Sequence, residues 1–200
     1  ATEGNNTVIQ GLLRGGAPGR ALAPATAHAS ILEPLELMER QGREVELLPV
    51  DGTGRIRLEA LARALAGEPR LLCLQLANNE TGTVQPLGEI TALVRESSPR
   101  TWIHLDAVQA YGRRRIDLED DRVDSLVLSG HKIGAPRGIG LLACRRPDAL
   151  HPLLLGGGQE EGLRGGTENP AAAAALALAG ELAFREASAE EERLGSLRRR

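Results

Sequence analysis

One stretch decides the fold: Ser129-Gly130-His131-Lys132, which follows an apolar run at 123–128 and precedes a loop rich in glycine and proline. The apolar run predicts a buried strand, so the lysine lies where a strand ends. In open α/β sheets, ligands bind at the carboxyl ends of the strands. A lysine there, beside hydroxyl and imidazole groups, suits a covalent link to an aldehyde cofactor that also carries a phosphate. The same four residues also fit an ordinary surface turn with a solvated lysine.

Outward from this stretch, helical and strand patterns alternate along the chain. Apolar positions at helical spacing predict helices over 5–14, 31–41, 58–66, 87–96 and 170–197. Short apolar or alternating runs predict strands over 45–50, 71–76, 102–105, 125–128 and 139–143. This alternation predicts the α/β class, as a three-layer sandwich with a mostly parallel sheet covered by helices on both faces.

Composition narrows the functional classes. Two hundred residues, 42% hydrophobic and 26% charged, are enough for one globular domain with a sizeable core. The net charge of −3 and the single Phe, Trp and Tyr argue against nucleic-acid binding, since the basic run Arg198-Arg199-Arg200 is better explained as a solvated helix end. The two separated cysteines, Cys73 and Cys144, predict no disulfide and no zinc site and favour a cytoplasmic location. No apolar run is long enough to span a bilayer, so no membrane partner is expected.

Polar clusters follow three of the predicted strands. Ala77-Asn78-Asn79-Glu80-Thr81-Gly82 follows the strand at 71–76, and Asp106-Ala107-Val108-Gln109 follows the strand at 102–105. Ser129-Gly130-His131-Lys132 follows the third, at 125–128. In a parallel sheet these three clusters point to one edge, which is where a ligand site is expected.

The ring of a pyridine-type cofactor needs particular partners. A carboxylate should hold the ring nitrogen protonated, and Asp106 is placed for that, although a strand-end Asp can also cap a following turn. Gln109 and Asn79 are candidate donors to the phenolic oxygen of the ring, and the sequence around Asn79 also fits a simple turn. His28 could stack on the ring, but a histidine before a helix is also commonly structural.

The phosphate of such a cofactor needs hydrogen-bond donors, ideally at a helix N-terminus. Thr2 and the amides of Glu3 and Gly4 lie at the approach to the first predicted helix, and Ser129 and His131 add side-chain donors. His104 lies within a predicted strand and is expected to belong to the core.

These segments together resemble the class V, fold-type I pyridoxal-phosphate enzymes, and specifically the NifS-like cysteine desulfurases. The resemblance runs through nearly all 200 residues, in family order, and implies the large domain of fold-type I transferases. Five segments carry it: Ala1-Thr2-Glu3-Gly4-Asn5-Asn6, the stretch from Ala77 to Pro86, His104-Leu105-Asp106-Ala107-Val108-Gln109, Ser129-Gly130-His131-Lys132, and the glycine-rich stretch from Gly156 to Asn169.

The resemblance implies a role for each matching residue. Lys132 would bind the cofactor aldehyde and His28 would stack over the ring, so both are expected to be catalytic. Thr167 would reach the phosphate of a second subunit, which implies a homodimer. The expected contacts with pyridoxal 5′-phosphate are Thr2, His28, Asn79, Asp106, Gln109, Ser129, His131, Lys132 and Thr167.

The activity implied is the conversion of L-cysteine to alanine plus enzyme-bound sulfur, for iron–sulfur cluster or thio-cofactor assembly. A sulfur-acceptor scaffold protein is a partner that this chemistry allows. Residues 1–168 are expected to form the cofactor-binding large domain without its opening segment. Residues 169–200 are expected to begin the helix that leads to an absent small domain, where the family carries its sulfur-accepting cysteine. A selenocysteine lyase or another class V aminotransferase-type enzyme is the nearest alternative, and a non-catalytic dimerisation or scaffold domain is the alternative of another class.

Overall fold

A six-stranded sheet forms the centre of the fold in a computed structural model, which describes residues 1–14 and 19–199. The strands lie in the order β2-β1-β3-β4-β5-β6; the first five in this order run parallel and β6 is antiparallel to β5. The strands are β1 Ala21–Pro24, β2 Val45–Leu48, β3 Leu71–Gln75, β4 Trp102–Asp106, β5 Ser125–Ser129 and β6 Gly140–Cys144. The predicted mostly parallel sheet is therefore confirmed.

Helices cover both faces of this sheet. They are α1 Thr2–Arg14, α2 Ala29–Arg40, α3 Leu58–Leu65, α4 Leu87–Ser97 and α5 Pro170–Arg198. One apolar core lies between the sheet and α1 and α2, and the other lies between the opposite face and α3, α4 and the first part of α5. Along β4 the side chains alternate between the two, since Trp102 belongs to the first core and Ile103 to the second. The predicted three layers follow from this alternation.

The sequence patterns missed one strand, β1. Its four residues, Ala-Leu-Ala-Pro, are all buried, and it pairs with β2 on one side and β3 on the other. Alanine and proline have low β-strand propensity. This segment is therefore held extended by its burial within a parallel sheet and not by local propensity. The strand predicted over 45–50 ends at Leu48 instead, and Val50 forms only an isolated bridge with Ile56.

The predicted long C-terminal helix is present as α5, with Asn169 capping its start by accepting from the Ala172 amide. Leu176 and Gly180 are its buried residues. Tyr111 packs against this helix, with its ring edge-on to Phe184 at 4.9 Å between centroids. Arg200, from the basic run, lies outside the described residues. Among the helices described, none has both the length and the apolar character that crossing a membrane requires.

Candidate active site at the carboxyl edge of the sheet

The sheet register brings the three predicted polar clusters to one edge. Gln75, the last residue of β3, pairs with Asp106, the last residue of β4. Asp106 in turn pairs with Val127, and β5 continues for two more residues to Ser129. The loops that follow β3, β4 and β5 therefore start side by side, as expected for parallel strands.

Lys132 lies directly beyond β5, at the end of the short 3₁₀ helix Gly130–Lys132. The turn is tight because Gly130 has no side chain: a Cβ atom there would lie 2.8 Å from Ile139 Cγ2. Lys132 is exposed. It is also the only lysine in these 200 residues, since the other 23 of the 24 basic residues are arginines.

Asp106 is buried, with 4% of its surface exposed. Its Oδ1 accepts a hydrogen bond from the Val108 amide at 3.1 Å, and its Oδ2 accepts one from Asn5 Nδ2 at 2.9 Å. The first of these bonds matches the capping interpretation of a strand-end Asp, so Asp106 does cap the turn that follows. Gln109 lies in that turn, three residues after Asp106, and is half-buried.

Asn79 is held at the same edge by Gln75. The buried Gln75 donates from Nε2 to Asn79 Oδ1 at 3.1 Å. The simple-turn interpretation also holds, but it is carried by Asn78, whose Oδ1 accepts from the amides of Glu80 and Thr81. Asn79 itself is exposed.

The candidate phosphate residues come together at the start of α1. Thr2 is the first residue of that helix, where backbone amides lack partners within the helix. A Cβ atom on Gly140 would lie 3.0 Å from the Ala1 nitrogen, and Gly140 pairs with Ser129 across β5 and β6. Ser129 Oγ and His131 Nδ1 lie 2.9 Å apart. The start of α1 thus lies beside the end of β5 that carries Ser129, and a helix start is a place where anions can bind.

His28 occupies the N-cap position of α2. Its Nδ1 accepts a hydrogen bond from the Ser30 amide at 3.1 Å and lies 2.8 Å from Ser30 Oγ. The structural interpretation of this histidine is therefore correct as far as Nδ1 is concerned. Because both contacts involve Nδ1, the capping role leaves the ring faces and Nε2 for other contacts.

Thr167 lies in the glycine-rich loop that precedes α5, and its side chain is exposed. The base of the loop is closed where Gly165 crosses Gly156, since a Cβ atom on Gly165 would lie 2.6 Å from Gly156 Cα. Arg164 binds Glu3 in the first turn of α1 at 2.8 Å. The loop is thus tied to the helix that begins with Thr2, but within the described ranges the Thr167 side chain makes no hydrogen bond.

Sequence inspection missed a set of hydrogen-bonded polar residues beneath this edge, which are buried except for the exposed His28 at its end. We call it the buried polar chain: Trp102, Ser125, His104, Asn5, Ser30 and His28, with Asp106 attached through Asn5. Burial lowers the pKa of His104 to about 3, so this imidazole is neutral. A signal was present, because Asn5 is spaced with Val8, Ile9 and Leu12 on the buried face of α1. His104 is fully buried, as predicted for a core residue.

The two cysteines offer little nucleophilic character. Burial raises the pKa of the Cys73 thiol far above its usual range, with the Asp106 charge adding to the effect. Burial also raises the pKa of Cys144, which is half-buried at the end of β6. Within residues 1–14 and 19–199, no group of three or more His, Cys, Asp or Glu side chains is placed to hold a metal ion.

The family can be identified from the whole chain. The family model described as aminotransferase class V matches residues 1–196. The chain belongs to the class V aminotransferase family. This membership confirms the resemblance and the fold class expected from the sequence.

Individual class V relatives agree with this assignment. Cysteine desulfurase IscS 1 of Archaeoglobus fulgidus is 37% identical over 202 residues, which cover 100% of this chain and 52% of the relative. A solved NifS-like protein superposes with a TM-score of 0.94 at 33% identity, covering 98% of this chain and 55% of the other. A second solved structure, SspA in complex with cysteine, gives a TM-score of 0.84 at 36% identity, with 90% and 52% coverage. The chain spans about half the length of these relatives.

Proposed function

We propose that this chain is the cofactor-binding portion of a pyridoxal 5′-phosphate enzyme that removes sulfur from L-cysteine. The relatives named above include a cysteine desulfurase and a protein solved in complex with cysteine. The proposal combines these names with the chemistry of the site at the carboxyl edge. Residues 1–168 would form the cofactor-binding unit, and residues 169–200 would begin the helix that leads away from it.

One observation carries the proposal. The chain uses arginine at every basic position except 132, where it has its single lysine. A guanidinium stays protonated in proteins and cannot act as an amine nucleophile, whereas a lysine amine can attack an aldehyde. The only ε-amine of these 200 residues therefore follows β5 at the edge that also holds Asp106. A solvated surface turn has no need for an amine in place of a guanidinium at this one position.

The donor set around Lys132 fits the rest of the cofactor. The buried carboxylate of Asp106 would hold the ring nitrogen in its protonated form. Thr2, Ser129 and His131 would hold the phosphate, since they combine a helix start with hydroxyl and imidazole donors. Asn79 and Gln109 would contact the phenolic oxygen of the ring. His28, with Nδ1 engaged by Ser30, would stack on the ring face.

The reaction would need no external oxidant or reductant. The bound cofactor supplies an electron sink for the bond-breaking at the substrate. The carbon–sulfur bond of cysteine breaks, the carbon skeleton leaves as alanine, and the sulfur atom joins an acceptor thiol as a persulfide. Cysteine plus thiol thus gives alanine plus persulfide, with all atoms accounted for. Cys73 and Cys144 are poor acceptors because burial raises the pKa of both thiols.

The partners follow from the same proposal. L-Cysteine would be the substrate, and a sulfur-acceptor scaffold protein is a partner that the chemistry allows. Thr167, in the exposed loop tied to α1 by Arg164, would reach the phosphate bound by a second copy, and the enzyme would then be a homodimer. The destination of the sulfur would be iron–sulfur cluster or thio-cofactor assembly in the cytoplasm.

Titration with pyridoxal 5′-phosphate tests the proposal. The wild-type protein is expected to gain a visible absorbance band with a stoichiometry of one cofactor per chain, and L-cysteine is expected to change that band. Lys132→Arg is the matched variant, because it keeps the positive charge and removes the nucleophilic amine. The band should be lost in this variant. An equal band in wild type and Lys132→Arg would contradict the assignment of Lys132.

A further inference from the structure

The side chain of Asn5 is completely buried beneath the candidate site. Its Nδ2 donates to Asp106 Oδ2 at 2.9 Å and to Ser30 Oγ at 2.8 Å. Its Oδ1 lies 2.9 Å from His104 Nε2. Nδ2 thus makes two hydrogen bonds and Oδ1 makes one. Through them the carboxamide of Asn5, on α1, is joined to residues of α2 and β4.

The orientation of this carboxamide is dictated by Asp106. An ionised carboxylate can only accept hydrogen bonds, so the Asn5 atom that faces it must be the NH₂ group. The carbonyl oxygen then faces His104, which must donate from Nε2. Because His104 is neutral, its Nδ1 must accept, and the hydroxyl of Ser125 must be the donor. The Trp102 indole, which can only donate, completes this arm by donating to Ser125 Oγ at 2.8 Å.

On the other side of Asn5, Ser30 and His28 are oriented in the same way. Ser30 Oγ accepts from Asn5 Nδ2, so its own hydroxyl proton is available to His28 Nδ1 at 2.8 Å. His28 Nδ1 also accepts from the Ser30 amide, which leaves the proton of a neutral His28 on Nε2. Every hydrogen bond of the buried polar chain therefore has one defined direction, running from Trp102 to His28 with a branch to Asp106.

From this arrangement we propose that Asn5 is a positioning residue, which fixes the orientation of the Asp106 carboxylate for the ring nitrogen and links it to His28. The proposal deepens the proposed function and rests on it. Without Asn5, the Val108 amide would be the remaining hydrogen-bond donor to Asp106 among the described residues, bound to Oδ1 alone. The carboxylate could then rotate about its last bond, and the alignment needed by a bound pyridinium would be lost.

The Asn5→Asp variant separates the contact of Asn5 with His104 from its contact with Asp106. The substituted side chain has nearly the same shape and keeps an oxygen for His104, but it places an oxygen where Nδ2 now donates to Asp106. Two buried carboxylates at about this contact distance cannot both stay ionised, so the pair takes up one proton and shares it. The variant should therefore keep the His104 hydrogen bond, while the charge of Asp106 is divided with residue 5 and meets the ring nitrogen less strongly. Asn5→Ala should lose both contacts.

Two measurements decide the proposal. The first is the nitrogen-15 spectrum of His104 without cofactor, in which wild type and Asn5→Asp should both show the proton on Nε2, held in a hydrogen bond. The second is the dissociation constant for pyridoxal 5′-phosphate, which should rise about tenfold or more in Asn5→Asp and in Asn5→Ala, as expected for a bond to a charged group. Thr101→Val is the control, since Thr101 is buried and hydrogen-bonded to Pro69 and Ser98 on another side of the fold. It should lose stability and keep wild-type affinity.

Different results would contradict the role of Asn5 and the proposed function. Wild-type affinity in Asn5→Asp would overturn the positioning role, because the state of the Asp106 carboxylate would then not depend on the group at position 5. A proton on Nδ1 of His104 in the wild-type protein would overturn it independently, even if neither Asn5 variant folded. Failure of the wild type to bind the cofactor would instead overturn the proposed function, while the direction of the buried polar chain would still be decided by the spectrum of His104.

Discussion

Replacement of Asp106 by asparagine exchanges one carboxylate oxygen for an NH₂ group. The exchange should change both the free energy of unfolding and the affinity for the cofactor. The carboxylate accepts from the Val108 amide at 3.1 Å and from Asn5 Nδ2 at 2.9 Å, one bond at each oxygen. An asparagine has one oxygen and one NH₂ group, so in either orientation its NH₂ group meets another donor. An unsatisfied buried donor costs about 1–3 kcal/mol, and this is the expected loss in the free energy of unfolding.

The effect on cofactor binding is separate from this loss. A hydrogen bond between the Asp106 carboxylate and a protonated ring nitrogen is charge-assisted, worth roughly 1.5–3 kcal/mol. At about 1.4 kcal/mol for each factor of ten, Asp106→Asn should raise the dissociation constant for pyridoxal 5′-phosphate by roughly 10- to 150-fold. Urea unfolding without cofactor gives the first quantity, and absorbance titration gives the second.

Asp124→Asn provides the matched control. Asp124 is also a buried aspartate, and its Oδ2 accepts from the Ile103 amide at 2.8 Å and from Arg95 at 2.7 Å. It precedes β5, at the opposite end of that strand from Lys132. Its variant should lose stability and keep cofactor affinity. If Asp106→Asn also kept wild-type affinity and absorbance, the role assigned to its carboxylate would be refuted.

Two further predictions concern titration and thiol chemistry. Because burial lowers the pKa of His104 to about 3, whereas an exposed histidine has a pKa of about 6.5, the unfolded chain takes up a proton between these values and the folded chain does not. The free energy of unfolding should therefore fall as the pH decreases through this window, by up to about 1.4 kcal/mol per pH unit. Urea unfolding at several pH values should show a weaker dependence of this free energy on pH for His104→Gln than for wild type. An equal dependence in the two proteins would contradict the effect assigned to burial of His104. Burial raises the pKa of both cysteine thiols, so Cys144→Ala should leave any sulfide release from L-cysteine unchanged, and loss of turnover in this variant would show that Cys144 is the sulfur acceptor.

The elements that sequence patterns predicted well are those whose own residues carry the signal. The apolar runs of β3, β4 and β5 and the polar residues after them were enough to bring Asp106 and Lys132 to one edge, because parallel strands align their carboxyl ends. β1 was missed because its four residues have no strand-like pattern of their own and are extended by their neighbours.

The buried polar chain could not be predicted for a different reason. Asn5 and His104 are separated by 99 positions, and Asn5 and Asp106 by 101. Neither the helical spacing of Asn5 nor the strand position of His104 indicates which polar group lies opposite. The pairing exists only once α1 packs on the face of the sheet that carries Trp102, His104 and Asp106, so it is a property of the tertiary structure.

The proposed bond between Lys132 and the aldehyde of pyridoxal 5′-phosphate can be tested without ambiguity, because Lys132 is the only lysine of the chain. Borohydride reduction of the cofactor-loaded protein, followed by peptide mass mapping, locates the covalent adduct directly. One cofactor per chain is expected, on the peptide that contains Lys132, and none on the same peptide of Lys132→Arg. An adduct confined to the α-amine of the first residue, or no adduct at all, would contradict the role assigned to Lys132.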